Sequence, residues 1–339
     1  MDIAQIISKH IKTNIYLALS ECWVSNKYGN LFFPLDDKYY RDFKYIFLWG
    51  HDSLDWLTKF RPKETSSIKL VVSGFPKSKS LRDIRVSNKE NSSKLNIGLV
   101  GRFSLLNDQF LRSPAQALLE TGSDYDHCFP RALAEAKLLN LYMQIKKNNK
   151  FSQYTFSFRP HPTEKVDTYT NYFDKVSFKE DICEWLRSLD CVIGPASSVI
   201  YECNAAGIPY FCTDTITDCK DDTVKAEPIL DRFYKIANNP ETIDDLLDQL
   251  SNLNNLTRPK NKMENSYSLG SLIEYNENSI NEIADCCLND FSREKDYFFP
   301  LKSTFLKMID TLYIIYHHLF RPHRLWLDFS FLHHSKYIK

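Results

Sequence analysis

The stretch Cys191–Phe211, CVIGPASSVIYECNAAGIPYF, decides the fold class. A short apolar run stops at Gly194, turns through Pro195, continues as a helix, stops again at Gly207 and resumes at Ile208. The segment therefore reads strand, turn, helix, glycine stop, strand, a compact βαβ unit. Working outward, comparable apolar runs occur at 14–20, 44–50, 67–74, 95–101, 154–159, 190–194 and 208–213. Continuous apolar runs alternating with helical stretches mark buried parallel strands. Helices are expected at 131–149, 181–190, 226–236 and 240–253, where apolar residues recur at helical spacing, as in Ile182, Trp185, Leu186 and Leu189. The fold class is α/β.

A chain of 339 residues exceeds the usual size of one core. The polar stretch Pro76–Lys94, rich in Ser, Lys and Asn, separates two strand-like runs and is the best boundary. Three parts follow: 1–90, a small N-terminal domain; 91–290, the domain carrying the βαβ unit; and 291–339, a basic, aromatic tail. The tail's apolar run Met308–Phe320 covers about 13 residues, short of the roughly 20 needed to span a bilayer. It suits a closing helix or a helix lying on a membrane surface.

Lys plus Arg and Asp plus Glu both number 43, so no net field of the kind nucleic-acid binders use is present. The nine cysteines show no CxxC and no regular spacing, which argues against a zinc site and a disulfide framework. The first fourteen residues read as an amphipathic helix rather than a signal peptide, and a reducing cytoplasm is the expected compartment.

Two motifs look chemical. In Gly194–Pro209 a Gly-Pro turn delivers Ser197 and Ser198 to a helix start, where unpaired N–H groups and the helix dipole favour phosphate, with Glu202 one turn further on. Serine is also an ordinary N-cap, so a purely structural role stays open. In Phe156–Lys165, FSFRPHPTEK, two prolines bracket His161 just past a strand end. Pro160 and Pro162 hold the residues before them in extended conformations, so Arg159 and His161 leave the strand in fixed directions. Ligands of open α/β sheets bind beyond such ends. A plain turn is the alternative.

Together, His161-Pro162 and, about 35 residues later, Ser197-Ser198 and Glu202 resemble the donor-binding domain of bacterial surface-carbohydrate glycosyltransferases of the GT-B fold. That family has two Rossmann-like domains facing a cleft, with C-terminal helices crossing back. The resemblance covers roughly 95–255 and is nearest to transferases using CMP-Kdo or CMP-sialic acid, whose HP and SS motifs hold the cytidine nucleotide. It implies that Arg159, His161, Pro162, Ser197 and Ser198 hold nucleotide and phosphate and that Glu202 holds ribose. The implied acceptor is a growing capsule, O-antigen or lipopolysaccharide glycan, with peripheral membrane contact through the tail. It implies a nucleotide-sugar substrate and no separate cofactor or metal. Transferases that polymerise CDP-glycerol are a close second resemblance; their first domain often carries a His-Gly motif whose histidine serves as base, and Gly50-His51 stands here in reversed order. Candidates for the base or nucleophile are His51, Asp52, Asp124 and Asp126. Loop acids capping helices are the plain alternative for the aspartates. A non-catalytic scaffold in polysaccharide assembly is a third reading, motivated by the small first domain.

Overall fold

The computed structural model describes residues 15–18, 33, 35, 40, 43–86, 94–113, 115–116, 125–178, 180–226, 230–253 and 271–291. The expected N-terminal helix and the basic tail lie outside these residues. The chain divides into two compact units, Met1–Pro76 with Leu272–Lys339, and Lys77–Ser271.

The second unit is built on five parallel strands: β4 (Asn96–Val100), β5 (Thr155–Arg159), β6 (Lys175–Val176), β7 (Cys191–Gly194) and β8 (Tyr210–Cys212). Their order across the sheet is β6-β5-β4-β7-β8, so the chain starts in the middle, winds to one edge, and then crosses back to build the other. That reversal between β4 and β7 is the position at which open α/β sheets bind ligands. Register places Val100 opposite Arg159 and Leu99 opposite Ile193, so the loops after β4, β5 and β7 leave the sheet at one level.

Both faces of this sheet are covered, which is why its strands read as continuous apolar runs. On one face, Ile97, Leu99, Phe156, Phe158, Cys191 and Ile193 pack with Leu138, Leu141, Tyr142 and Ile145 of α3 (Tyr125–Lys147) and with Leu246, Leu247 and Leu250 of α8 (Ile243–Ser251). On the other face lies α4 (Ile182–Arg187). A Cβ on Gly98 would come within 2.5 Å of Leu189 Cδ1 and 2.8 Å of Trp185 Cζ2, so the missing side chain is what lets this helical connection approach β4. Helix α5 (Val199–Ala206) ends at Gly207, whose φ of 67° lies in the left-handed region that favours glycine.

The stretch expected to be a polar boundary carries a helix, α2 (Ser78–Val86), which packs against α4 and α5 in the second unit. Among its described side chains the apolar ones that turn inward are Leu81 and Ile84, both buried, and the Ser, Lys, Arg and Asn residues around them gave the stretch its linker-like composition. Helix α3 likewise starts upstream of the expected 131, within a segment read as loop, and contains Pro130.

The first unit pairs β1 (Ile15–Ala18), β2 (Phe43–Leu48) and β3 (Lys69–Val72) as a parallel sheet in that order, with α1 (His51–Phe60) joining β2 to β3. Phe33, Tyr40, Phe43, Ile46, Leu48, Trp56, Leu57 and Ile68 form its core. Arg61 is buried there, donating from Nε to Phe33 O at 2.7 Å while its guanidinium stacks over Trp56. The chain returns at Leu272 and Ile273, both buried, and continues into α9 (Ser279–Phe291). Between α5 and α8, the chain forms α6 (Lys220–Ala226) and α7 (Asp231–Tyr234).

Candidate functional site at the strand-order reversal

Where β4 and β7 stop pairing, their last carbonyls need donors. Tyr142 of α3 supplies one: its hydroxyl donates to Val100 O at 2.8 Å and reaches Ile193 O at 3.3 Å. The two loops beyond are then free to diverge, and they are tied again further out, where Arg102 Nη1 donates to Ala196 O at 3.0 Å. Asp214, buried after β8, accepts from Ala196 N at 3.2 Å and from the Tyr234 hydroxyl at 2.5 Å, while Tyr210 donates to Pro195 O at 2.7 Å. The turn Pro195–Ala196 that carries the two serines is therefore held from three sides.

The loop after β4 is organised by two buried carboxylates. Glu164 Oε1 accepts from Phe103 N at 2.7 Å and from His161 N at 3.1 Å, and Oε2 accepts from the Tyr169 hydroxyl at 2.6 Å. Glu135 of α3 accepts from Leu105 N at 2.9 Å and Leu106 N at 3.0 Å and faces Arg131 at 3.4 Å. Burial pushes the Glu164 carboxyl up to about 7 against the three hydrogen bonds that favour its charged form, and it also raises Glu135. Gly101 fits beneath: a Cβ there would stand 2.8 Å from Pro160 Cα and 3.0 Å from Glu164 Oε2.

His161 sits on this clamp. Its carbonyl accepts from Glu164 N at 2.9 Å, closing a turn around Pro162 and Thr163. The ring Nδ1 accepts from Thr163 N at 3.3 Å and lies 2.7 Å from the Thr163 hydroxyl, which puts the ring proton on Nε2. Its pKa is pushed down to about 4, by desolvation first and then by the Arg131 and Arg102 cations. The ring is exposed, so water weakens the desolvation, while the two guanidiniums act in the same direction. His161 is a neutral donor at pH 7.

Ser197 and Ser198 are half-buried at the start of α5. Ser198 takes the N-cap position without a side-chain cap bond, and the Ser197 hydroxyl is 3.5 Å from the Tyr210 hydroxyl. The backbone N–H groups of Ser197, Ser198 and Val199 make no hydrogen bond among the described residues. Such groups, at the positive end of a helix, accommodate an anion.

Arg159 and Glu202 belong to a separate charged set. Arg159 Nη1 donates to Glu180 O at 2.9 Å and its guanidinium stacks 5.5 Å over Trp185. Desolvation lowers its pKa, against the attraction of Glu202, Asp181 and Glu180. Glu202 is buried and pairs with Lys77 at 3.3 Å. Burial raises its pKa, with Lys77 pulling the other way. Both side chains thus have protein partners around α2, α4 and α5.

In the first unit His51 opens α1 and Asp52 lies in its first turn. His51 Nε2 is 3.0 Å from Glu274 Oε1. Asp124 and the side chain of Asp126 lie outside the described residues. Among the described residues no group of His, Cys, Asp and Glu could hold a metal ion, and no helix is long and apolar enough to cross a membrane. The residues not foreseen from sequence are Arg102, Arg131, Glu135, Glu164, Asp214 and Glu274. Only Glu164 had a local signal, as the last acid of the RPHPTEK stretch.

No protein-family model matches the sequence, and no curated protein matches it. Among solved structures, the chain is similar to the Wall Teichoic Acid Polymerase TagF, with 15% identity and a TM-score of 0.45 over 82% of this chain and 65% of that one. A TagF variant soaked with CDPG matches at 16% identity and a TM-score of 0.44, over 82% and 64%. A putative UDP-N-acetylglucosamine 2-epimerase from Listeria monocytogenes matches at 11% identity and a TM-score of 0.43, over 86% and 72%. The chain thus spans about two thirds of the length of the TagF structures.

Proposed function

We propose that the second unit binds a cytidine nucleotide donor beyond the ends of β4 and β7, and that the protein is a GT-B-type transferase in surface-polymer synthesis. The observation that carries this reading is the pairing, at the strand-order reversal, of N–H groups at Ser197, Ser198 and Val199 that have no partner among the described residues with Arg102, whose guanidinium contacts the residue before Ser197. His161, neutral and donating from Nε2, adds a third anion-binding element near the same arginine. The choice of cytidine rests on the HP and SS motifs.

Two separate sets of donors, the start of α5 on one side and His161 with Arg131 on the other, suit a diphosphate better than a single phosphate. The donor that fits is therefore CDP-linked, with a glycerophosphate as the group delivered. A CMP-linked sugar acid, Kdo or sialic acid, is the second reading, and the HP and SS motifs in that order favour it. Arg159 and Glu202, both engaged by protein partners, set the position of α5 on this reading. The acceptor, a glycan or lipid-linked glycan, and contact with the membrane surface through the tail belong to the same proposal.

The test is calorimetric titration of the full chain with CDP, CMP, UDP and GDP, followed by CDP-glycerol, CMP-Kdo and CMP-sialic acid. The expected result is cytidine selectivity with CDP at least tenfold tighter than CMP. Equal affinity for CDP and CMP transfers the assignment to the CMP-linked reading. Absence of affinity for any nucleotide overturns both and leaves the scaffold.

A further inference from the structure

The pair His51–Glu274 is formed by two segments that are far apart in sequence. Glu274 belongs to the stretch that returns to the first unit after the second is complete. Its N–H donates to Trp49 O at 2.7 Å and its carbonyl accepts from Phe75 N at 2.8 Å, so it is held between the loops that follow β2 and β3. Asn276 Nδ2 donates to Ser73 O at 3.1 Å and the Ser279 hydroxyl to Gly74 O at 3.0 Å, continuing the same seam. Gly74 makes the approach possible: its φ is 82°, and a Cβ there would stand 2.7 Å from both Glu274 O and Asn276 Cβ.

This anchored backbone presents the Glu274 carboxylate to His51 Nε2 at 3.0 Å. A carboxylate only accepts, so the ring proton resides on Nε2 and the lone pair on Nδ1. Nδ1 has no hydrogen-bond partner among the described residues, and the side chain is 57% exposed. At that exposure an ion pair adds little to stability, so folding energy alone does not account for a carboxylate set against this imidazole by an anchored backbone. An imidazole held in one tautomer by an acid, with its other nitrogen open to solvent, is the arrangement of a general base and its orienting partner.

We propose that Glu274 is a positioning residue: it fixes His51 with the proton on Nε2 so that Nδ1 takes the proton of an acceptor hydroxyl. This rests on the transferase reading. On that reading the acceptor O–H bond breaks, its proton passes to Nδ1 and its electron pair stays on the acceptor oxygen, which becomes the nucleophile. Glu274 compensates the imidazolium until it returns the proton to water.

Two measurements on the full chain test this. In ¹⁵N-histidine spectra at neutral pH, the His51 proton is expected wholly on Nε2, becoming shared between the two nitrogens in Glu274→Ala; a proton on Nδ1, or identical shifts in the variant, overturns the proposal. In transfer assays with CDP-glycerol, Glu274→Gln is expected to lower kcat at least tenfold with the donor KM changed less than twofold, and Glu274→Asp to recover part of the loss. An unchanged kcat, or a loss confined to KM, overturns it as well. Failure of the chain to bind CDP counts against the transferase reading instead, and the spectra still decide the orientation of His51.

Discussion

At the residue scale, Glu164 shows what burial adds to a short motif. Its carboxylate joins Phe103 N, 61 residues away, to His161 N, so the turn that presents the histidine depends on one buried acid. Folding raises its pKa from 4.5 to about 7, so between those values the folded chain keeps a proton that the unfolded chain has released. Its favourable contribution is complete below about pH 4.5 and is lost as pH rises through 7. His161 has the opposite sign: lowered from 6.5 to about 4, it contributes above 6.5 and loses that contribution as pH falls toward 4, an effect that solvent screens because the ring is exposed. Removing the Glu164 carboxyl should leave the His161 slope uncovered. Glu164→Gln is therefore expected to show stability climbing more steeply from pH 5 to pH 7 than the wild type, read by urea denaturation at each pH; parallel curves would refute the assignment. The His161 and Ser197-Ser198 motifs were legible because their chemistry is local in sequence. Glu164, Glu135 and Glu274 matter through burial and long-range contact, and nothing in the chain near Glu135 or Glu274 signals either.

At the element scale, apolar runs announced the strands from β1 to β5, β7 and β8, most clearly in the second unit, where the sheet is covered on both faces. Strand β6 escaped because it is two residues long, with Lys175 exposed and Val176 half-buried. Helix α2 escaped because its described inward apolar residues are just Leu81 and Ile84, set in a stretch whose composition is that of a linker. The packing of α4 on β4 rests on a glycine. Gly98→Ala is expected to destabilise the second unit by about 1–3 kcal/mol, the usual effect of overfilling a close-packed contact, because the added methyl meets Leu189 and Trp185 below 3 Å. The midpoint of chemical denaturation, followed by tryptophan fluorescence, measures this directly; an unchanged midpoint would mean that Trp185 and Leu189 give way freely.

At the scale of the whole molecule, the chain separates two tasks. Lys77–Ser271 carries the doubly wound sheet and the anion-binding turn, while Met1–Pro76 with Leu272–Lys339 carries a three-stranded sheet and the His51–Glu274 pair. That division follows from a chain that leaves the first unit at Pro76 and returns at Leu272, a route invisible to composition, since the returning stretch is a short apolar pair followed by polar residues. The central claim is that the turn after β7 and the turn after β5 hold the phosphates of one nucleotide. Titration of CDP into the wild type, His161→Ala and Ser198→Ala tests it most directly. Charge-assisted hydrogen bonds contribute about 1.5–3 kcal/mol each, so each substitution is expected to weaken CDP on the order of 10- to 100-fold. Binding that survives both substitutions unchanged, or a wild type that does not bind CDP, would contradict the account.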